Sequence, residues 1–150
     1  MQTNVTALLK DAHIRATQNN LPYTGVVTPE EAFELLQSHP NTQLVDVRTR
    51  AELELVGRVP NATAIEWAFY PGMVANPDFS AQLNAQVDKN ALVIFMCRTG
   101  GRSHNAAVVA QQLGFKHVFN MIEGFEGDAN AQKQRTLMNG WKHAGLPWTN

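Results

Sequence analysis

A single cysteine, Cys97, stands in a chain of 150 residues. One thiol excludes an internal disulfide and a thiolate-rich metal site, and it points to a reducing, cytoplasmic setting. Charge is scarce and balanced. Twelve Lys and Arg against 13 Asp and Glu give a formal net charge of -1, so nothing draws the whole chain to nucleic acid or to an anionic membrane surface. Any preference for anions must therefore be local. No apolar run is long enough to span a membrane. The opening Met1-Gln2-Thr3-Asn4 has neither the basic nor the apolar region of a secretory leader, and there is no internal repeat or low-complexity tract. His13, His39, His104, His117 and His143 lack ligand spacing, so neither a metal nor another cofactor is expected. No serine occupies a nucleophile elbow, and the one glycine-rich loop lacks the lysine of a nucleotide phosphate loop.

What is present centres on Leu92-Val93-Ile94-Phe95-Met96-Cys97-Arg98-Thr99-Gly100-Gly101-Arg102-Ser103. An apolar run without polar alternation reads as a strand buried on both faces, and Cys97 falls where the run stops. Ala106, Ala107, Ala110 and Leu113 then recur at helical spacing up to Gly114, a C′ residue behind which Phe115 packs back. The unit is strand, tight loop, helix. In that geometry the loop N–H groups and the first helical turn converge on Cys97 and favour negative charge. Gly100 and Gly101 let the loop close at positive φ, and Arg98 and Arg102 add full positive charge. Such surroundings favour a thiolate, which makes Cys97 a nucleophile at neutral pH.

Val5, Leu8, Leu9, Ala12 and Ala16 place an amphipathic helix near Asn4 to Gln18, within an N-terminal extension, residues 1–23, packed on a domain over residues 24–150. Val26-Val27 is a short first strand. Thr28-Pro29-Glu30-Glu31 opens a helix to about Ser38, with Thr28 as cap, Pro29 at N1 and Glu31 closing a capping box. Leu44-Val45-Asp46-Val47-Arg48 is a second buried strand whose aspartate needs partners, either Arg48 or N–H groups of a neighbouring loop. Thr49-Arg50-Ala51-Glu52 repeats the capping box. A third strand at Ile65 leads into the aromatic stretch Trp67 to Asp78, a loop on the same rim as Cys97. A helix from Phe79 to Val87 starts at Asp78, and His117 to Ile122 is a fifth strand. Strands alternating with helices give an α/β chain with a single parallel sheet covered on both faces.

The loop Cys97-Arg98-Thr99-Gly100-Gly101-Arg102-Ser103 resembles the active-site loop of the rhodanese-like sulfurtransferases, and the resemblance runs from about Thr24 to Trp148. Asp46-x-Arg48 before a helix with Glu52 is similar to that family's pattern. So are Gly57-Arg58-Val59-Pro60-Asn61-Ala62 and the ending Ala144-Gly145-Leu146-Pro147. Arg58 replaces a usual histidine, Asn61 a usual glycine and Glu123 the first of two glycines. Trp141 is delayed behind an insertion, residues 127–140, placed on the Cys97 rim. The resemblance implies a five-stranded parallel core and a persulfide carried on Cys97. It assigns the donor's anionic end to Arg98, and the loop Thr99, Gly100, Gly101, Arg102 and Ser103 to substrate binding. Arg102 either faces substrate or pairs inward with Asp46, and Asp46 with Arg48 either braces the loop or forms an ordinary ion pair.

Sulfur transfer suits so sparse an inventory. A thiolate attacking the outer sulfur of thiosulfate expels sulfite without any proton transfer, and a second nucleophile removes the sulfur in a ping-pong cycle. The implied partners are a small anionic sulfur donor and a thiol or cyanide acceptor, or a protein acceptor; nucleic acid and membrane are not among them. A cysteine-dependent phosphatase or arsenate reductase, a sulfur-relay protein and a non-catalytic binding module of the same fold are the alternatives.

Overall fold

The computed structural model describes residues 5–150. Helix α1 (Val5–Gln18) is followed by strand β1 (Gly25–Val27), α2 (Pro29–Ser38), β2 (Thr42–Asp46), α3 (Arg50–Leu55) and β3 (Thr63–Ala64). Then come β4 (Ala68–Phe69), β5 (Val74–Ala75), α4 (Phe79–Gln86), β6 (Leu92–Met96), α5 (Gly101–Gln112) and β7 (His117–Met121). Asn4, where the first helix was expected to start, and the opening residues Met1 to Asn4 lie outside the described residues.

Five strands form one parallel sheet in the order β1-β7-β6-β2-β3. The strand with the most continuous apolar run, β6, has all five residues buried and lies at the centre. Alternation along it divides the core in two. Val93, Phe95 and Cys97 face the layer of α4 and α5, with Phe79, Leu83, Ala106, Ala107 and Ala110. Leu92, Ile94 and Met96 face Leu8 and Ala12 of α1, Ala32 and Leu35 of α2, and the later residues Phe125 and Trp141. Among the described residues no helix is long and apolar enough to cross a membrane.

Local signals account for most boundaries. Thr28 accepts from Glu31 N while Glu31 accepts from Thr28 N, with Pro29 in the first turn, and Thr49 with Glu52 repeats the box. Helix α5 ends as expected: Phe115 N donates to Ala110 O at 3.1 Å and Gly114 N to Gln111 O at 3.2 Å, a Schellman closure with Phe115 buried behind it.

Three expectations change. The second strand ends at Asp46 rather than at Arg48, because Arg48 N turns back to donate to Asp46 Oδ1 at 3.1 Å. The aromatic stretch contains the antiparallel pair β4–β5, with Ala68 opposite Ala75, joined across a cis Tyr70–Pro71 bond. Asp78 makes no side-chain cap for α4; its own N donates to Asn76 Oδ1 at 2.9 Å, and Phe79 N donates to the Asn76 carbonyl at 3.3 Å.

Helix α1 is tied down by its buried Leu8, Ala12 and Ala16 and by Arg15, which forms two contacts with Glu31 at 2.5 and 2.9 Å. Glu31 thus closes the α2 cap and anchors α1 together. Replacing Thr28 by alanine removes a cap and should cost ~1 kcal/mol, whereas Glu31→Ala should cost more in urea unfolding. Equal losses would show that the Arg15 bridge contributes nothing.

Candidate active site

Cys97 is the first residue beyond β6, and the alternation of that strand turns its side chain toward α5, where it is buried. The small side chains Ala106, Ala107 and Ala110 let α5 lie close on the sheet, which brings its first turn over the sulfur. Gly100 caps that helix at φ 123°, and its N–H donates to Cys97 Sγ at 3.1 Å. Of the two loop glycines only Gly100 needs its special conformation. Gly101 begins the helix at the surface, where an added Cβ would meet nothing within 4 Å.

The loop carries buried carbonyls that must find donors, and neighbours supply them. Phe125 N donates to Cys97 O at 2.9 Å, while Glu126 N and Gly127 N reach Arg98 O at 3.1 and 3.3 Å. Gly124, at φ 71°, lies against the Arg98–Thr99 peptide so closely that a Cβ would overlap it. From β7, Asn120 Nδ2 donates to Gly100 O at 3.3 Å, which leaves Asn120 Oδ1 to accept the Ser103 hydroxyl at 2.6 Å. A hydroxyl has one proton, so the Ser103 Oγ contact to Sγ at 3.4 Å is the weaker one. Ser103, expected to meet substrate, is fully buried and supports the sulfur from below.

Arg102 does not take Asp46 as its partner. Its guanidinium forms a two-pronged pair with Glu52 at 2.7 and 2.8 Å. Asp46 belongs instead to Arg48, whose Nη2 lies 2.7 Å from Asp46 Oδ2, with both side chains buried. Burial pushes the Glu52 carboxyl up, but hydrogen bonds from Arg102 and from Thr49, together with the Arg102 charge, outweigh it and bring Glu52 from 4.5 to about 2. Burial likewise lowers Arg102, and Glu52 more than restores it, with the charges of Cys97 and Asp46 acting in the same direction.

Arg48 also donates to Gly57 O at 2.8 Å and lies 4.1 Å over the Phe125 ring. Because Phe125 N holds Cys97 O, the Asp46–Arg48 pair reaches the loop through Phe125. Arg98 is nearly half exposed at the mouth, its Nε 3.4 Å from Glu126 Oε2, and Thr99 is half-buried beside it. His104, next to Ser103, is turned to Tyr23, whose hydroxyl lies 2.6 Å from His104 Nδ1. Burial raises the Tyr23 pKa against a lowering hydrogen bond to Asn120.

A cleft of about 490 Å³ opens beside Arg98 and Arg102, with Glu52, Leu55, Tyr70 and Met73 among its lining. Of the aromatic side chains in that stretch only Tyr70 lines it; Trp67 packs edge-on against Phe79 at 4.9 Å. The insertion touches the loop at its root, through Gly127, and closes on itself by Asn139 with Asp128. No residue from 127 to 140 lines the cleft. Arg58 lies in another depression, its backbone paired with Thr149, and Asn61 adopts φ 66° as its turn requires. Among the described residues no group of three or more His, Cys, Asp or Glu side chains could hold a metal ion.

Sequence reasoning missed Asn120, Glu126 and the partnership of Arg102 with Glu52. The signal for Asn120 was a polar residue inside an otherwise apolar strand. The other two had none, since their partners lie 50 residues away for Arg102 and 28 away for Arg98.

Comparison with known proteins agrees with this geometry. The model of the Rhodanese-like domain matches residues 28–131. The crystal structure of Rv0390 from M. tuberculosis is 38% identical and superposes with a TM-score of 0.78, covering 85% of this chain and 98% of that one. An uncharacterized protein of Rickettsia conorii is 38% identical over 120 residues, 79% of this chain and 91% of that protein. The thiosulfate sulfurtransferase GlpE of Haemophilus influenzae is 29% identical over 106 residues, 71% of this chain and 89% of that protein.

Glu52 has a lower pKa folded than unfolded, so it adds stability above about pH 4.5 and loses that contribution as pH falls toward 2. The stability gap between the wild type and Glu52→Gln should therefore be widest near neutrality and narrow over that acid range. A gap independent of pH in denaturant titrations would contradict the pairing.

Proposed function

Because this chain belongs to the rhodanese-like domain family, we propose that it is a sulfurtransferase that moves sulfane sulfur from thiosulfate or a similar donor to a thiol or cyanide through a persulfide on Cys97. The observation that carries the reading is Cys97 Sγ at the end of the central strand, with the Gly100 N–H directed at it and a half-exposed arginine at the mouth. The likeness to GlpE, by name a thiosulfate sulfurtransferase, supports the donor class.

In the first half-reaction the Cys97 thiolate attacks the outer sulfur of the donor, the donor's S–S bond breaks, and sulfite leaves with the bonding pair. No proton moves, which fits a site where no basic side chain hydrogen-bonds the sulfur. Arg98 meets the anionic end of the donor. The negative charge of the persulfide stays within the loop, where backbone donors act at short range. An acceptor then takes the outer sulfur and restores the thiolate. The reading places the protein in a reducing, cytoplasmic setting, with a protein thiol as a further acceptor. Binding modules of this fold commonly lose the cysteine, and this chain keeps it.

Intact-mass analysis after incubation with thiosulfate should find one added sulfur atom on the wild type and none on Cys97→Ser, which should unfold at a similar temperature because the hydroxyl is nearly isosteric. Sulfur uptake or cyanide-dependent turnover by the variant would remove Cys97 from the mechanism.

Loop length argues against the phosphatase reading. Four residues, Arg98 to Gly101, separate Cys97 from Arg102, one fewer than in the related phosphatase loop, and the Gly100 N–H already lies 3.1 Å from the sulfur. A tetrahedral oxyanion needs that space. The protein should show no useful hydrolysis of aryl phosphates; hydrolysis faster than sulfur transfer would replace this reading with the phosphatase one.

A further inference from the structure

Each of the two arginines of the active-site loop has a carboxylate beside it. Arg102 is held by Glu52 through two short contacts, and Arg98 has Glu126 3.4 Å from its Nε. The four formal charges cancel, and the thiolate of Cys97 adds a negative one. A doubly charged donor therefore meets a weaker attraction at the mouth than two uncompensated arginines would give, and it is repelled by the nucleophile. Glu126 is nine-tenths buried, and its N donates to Arg98 O, which keeps the residue beside Arg98.

The cleft beside these pairs has an apolar side. Leu55 and Val56 from the end of α3 meet Tyr70 and Met73 from the β4–β5 hairpin, and Leu55, Tyr70 and Met73 are substantially exposed there. Apolar side chains exposed together, next to a compensated charged rim, favour covering by an apolar body. Charge cancellation and apolar wall lie in one cleft, against one loop.

We propose that the sulfur donor of this protein is a singly charged sulfane-sulfur compound on an apolar carrier, and that Glu126 is the specificity-determining residue that disfavours dianions such as thiosulfate. The inference rests on the sulfur-transfer reading and refines its donor. For an organic thiosulfonate the Cys97 thiolate attacks the terminal sulfur and the S–S bond breaks. The sulfinate leaves with the electron pair, and Cys97 keeps a persulfide anion. One negative charge enters with the donor and one leaves with the sulfinate, so charge and atoms balance without a proton or an oxidant.

The test measures second-order rates of persulfide formation by intact mass with three donors: benzenethiosulfonate, methanethiosulfonate and thiosulfate. The first two share charge and reacting group and differ in the apolar body. Each rate is referred to that of free cysteine, which removes intrinsic reactivity. The wild type should prefer the aryl over the methyl donor by at least tenfold beyond free cysteine. Leu55→Ser and Met73→Ser, at exposed positions, should each lower that aryl-to-methyl ratio at least threefold. Glu126→Gln keeps the side-chain shape and uncovers the Arg98 charge. It should raise the thiosulfate-to-methanethiosulfonate ratio at least threefold, a gain that added salt should erase. An aryl-to-methyl ratio equal to that of free cysteine, or ratios that the substitutions do not move, overturns the donor assignment while persulfide formation itself stands. Persulfide with none of the three donors overturns the sulfur-transfer reading and this inference with it.

Discussion

The tight turn from Cys97 to Arg102 cannot satisfy its own backbone, and the rest of the site is arranged around that constraint. A buried peptide group without a partner costs on the order of 1–3 kcal/mol, and the turn carries two carbonyls, at Cys97 and Arg98, that receive donors from elsewhere in the chain. Phe125, Glu126 and Gly127 serve them, while Gly100 O takes the first bond of α5 from His104 N and a longer one from Asn120 Nδ2. Glycine at 124 is what permits the later segment to come so close. Reactivity at one sulfur thus depends on a strand neighbour, a helix turn and a segment nearly 30 residues downstream.

Side-chain charges extend the same logic. Glu52 is shared between the start of α3, where it completes the capping box with Thr49, and the start of α5, where it holds Arg102. A single carboxylate thereby sets the distance between two helix N-termini that face the same rim. The Asp46–Arg48 pair is buried more deeply and supports no exposed group. Breaking such a pair one-sidedly leaves a charge in the core, at a cost of about 3–5 kcal/mol. Its link to the loop runs through the Phe125 ring lying under the guanidinium.

The departures from the family pattern are absorbed locally. Glu123 adopts φ 70°, an unfavourable angle for a side chain with a Cβ, but its Oε1 accepts from Gly140 N at 3.0 Å and so closes the neck of the inserted segment. Beyond that neck Trp141 returns to the core, its Nε1 donating to Pro147 O and its ring edge-on to Phe33. The inserted segment closes on itself, and Trp141 beyond it is still buried in the core.

The amino-acid sequence by itself determined what local physics can decide. The apolar run Leu92–Met96 made the central strand, because only a strand buried on both faces tolerates such a run. Thr28 with Glu31 and Thr49 with Glu52 marked two helix starts, and Gly114 with Phe115 marked a helix end. The thiol at the end of a strand, before glycines and arginines, was legible for the same reason: its chemistry lies within six consecutive residues. The short pair β4–β5 was not legible, since two residues per strand leave no period to read, and Asp78 looked like a cap because composition alone cannot show which side chain bends back. Tertiary structure decided which charges meet. Asp46 was the one partner the sequence offered Arg102, and the packing of α5 against the sheet, together with the pairing of Arg48 with Asp46, gave it to Glu52 instead. Glu126 reached Arg98 only because the chain after β7 must donate its N–H groups to the loop, a long-range requirement that no local pattern records.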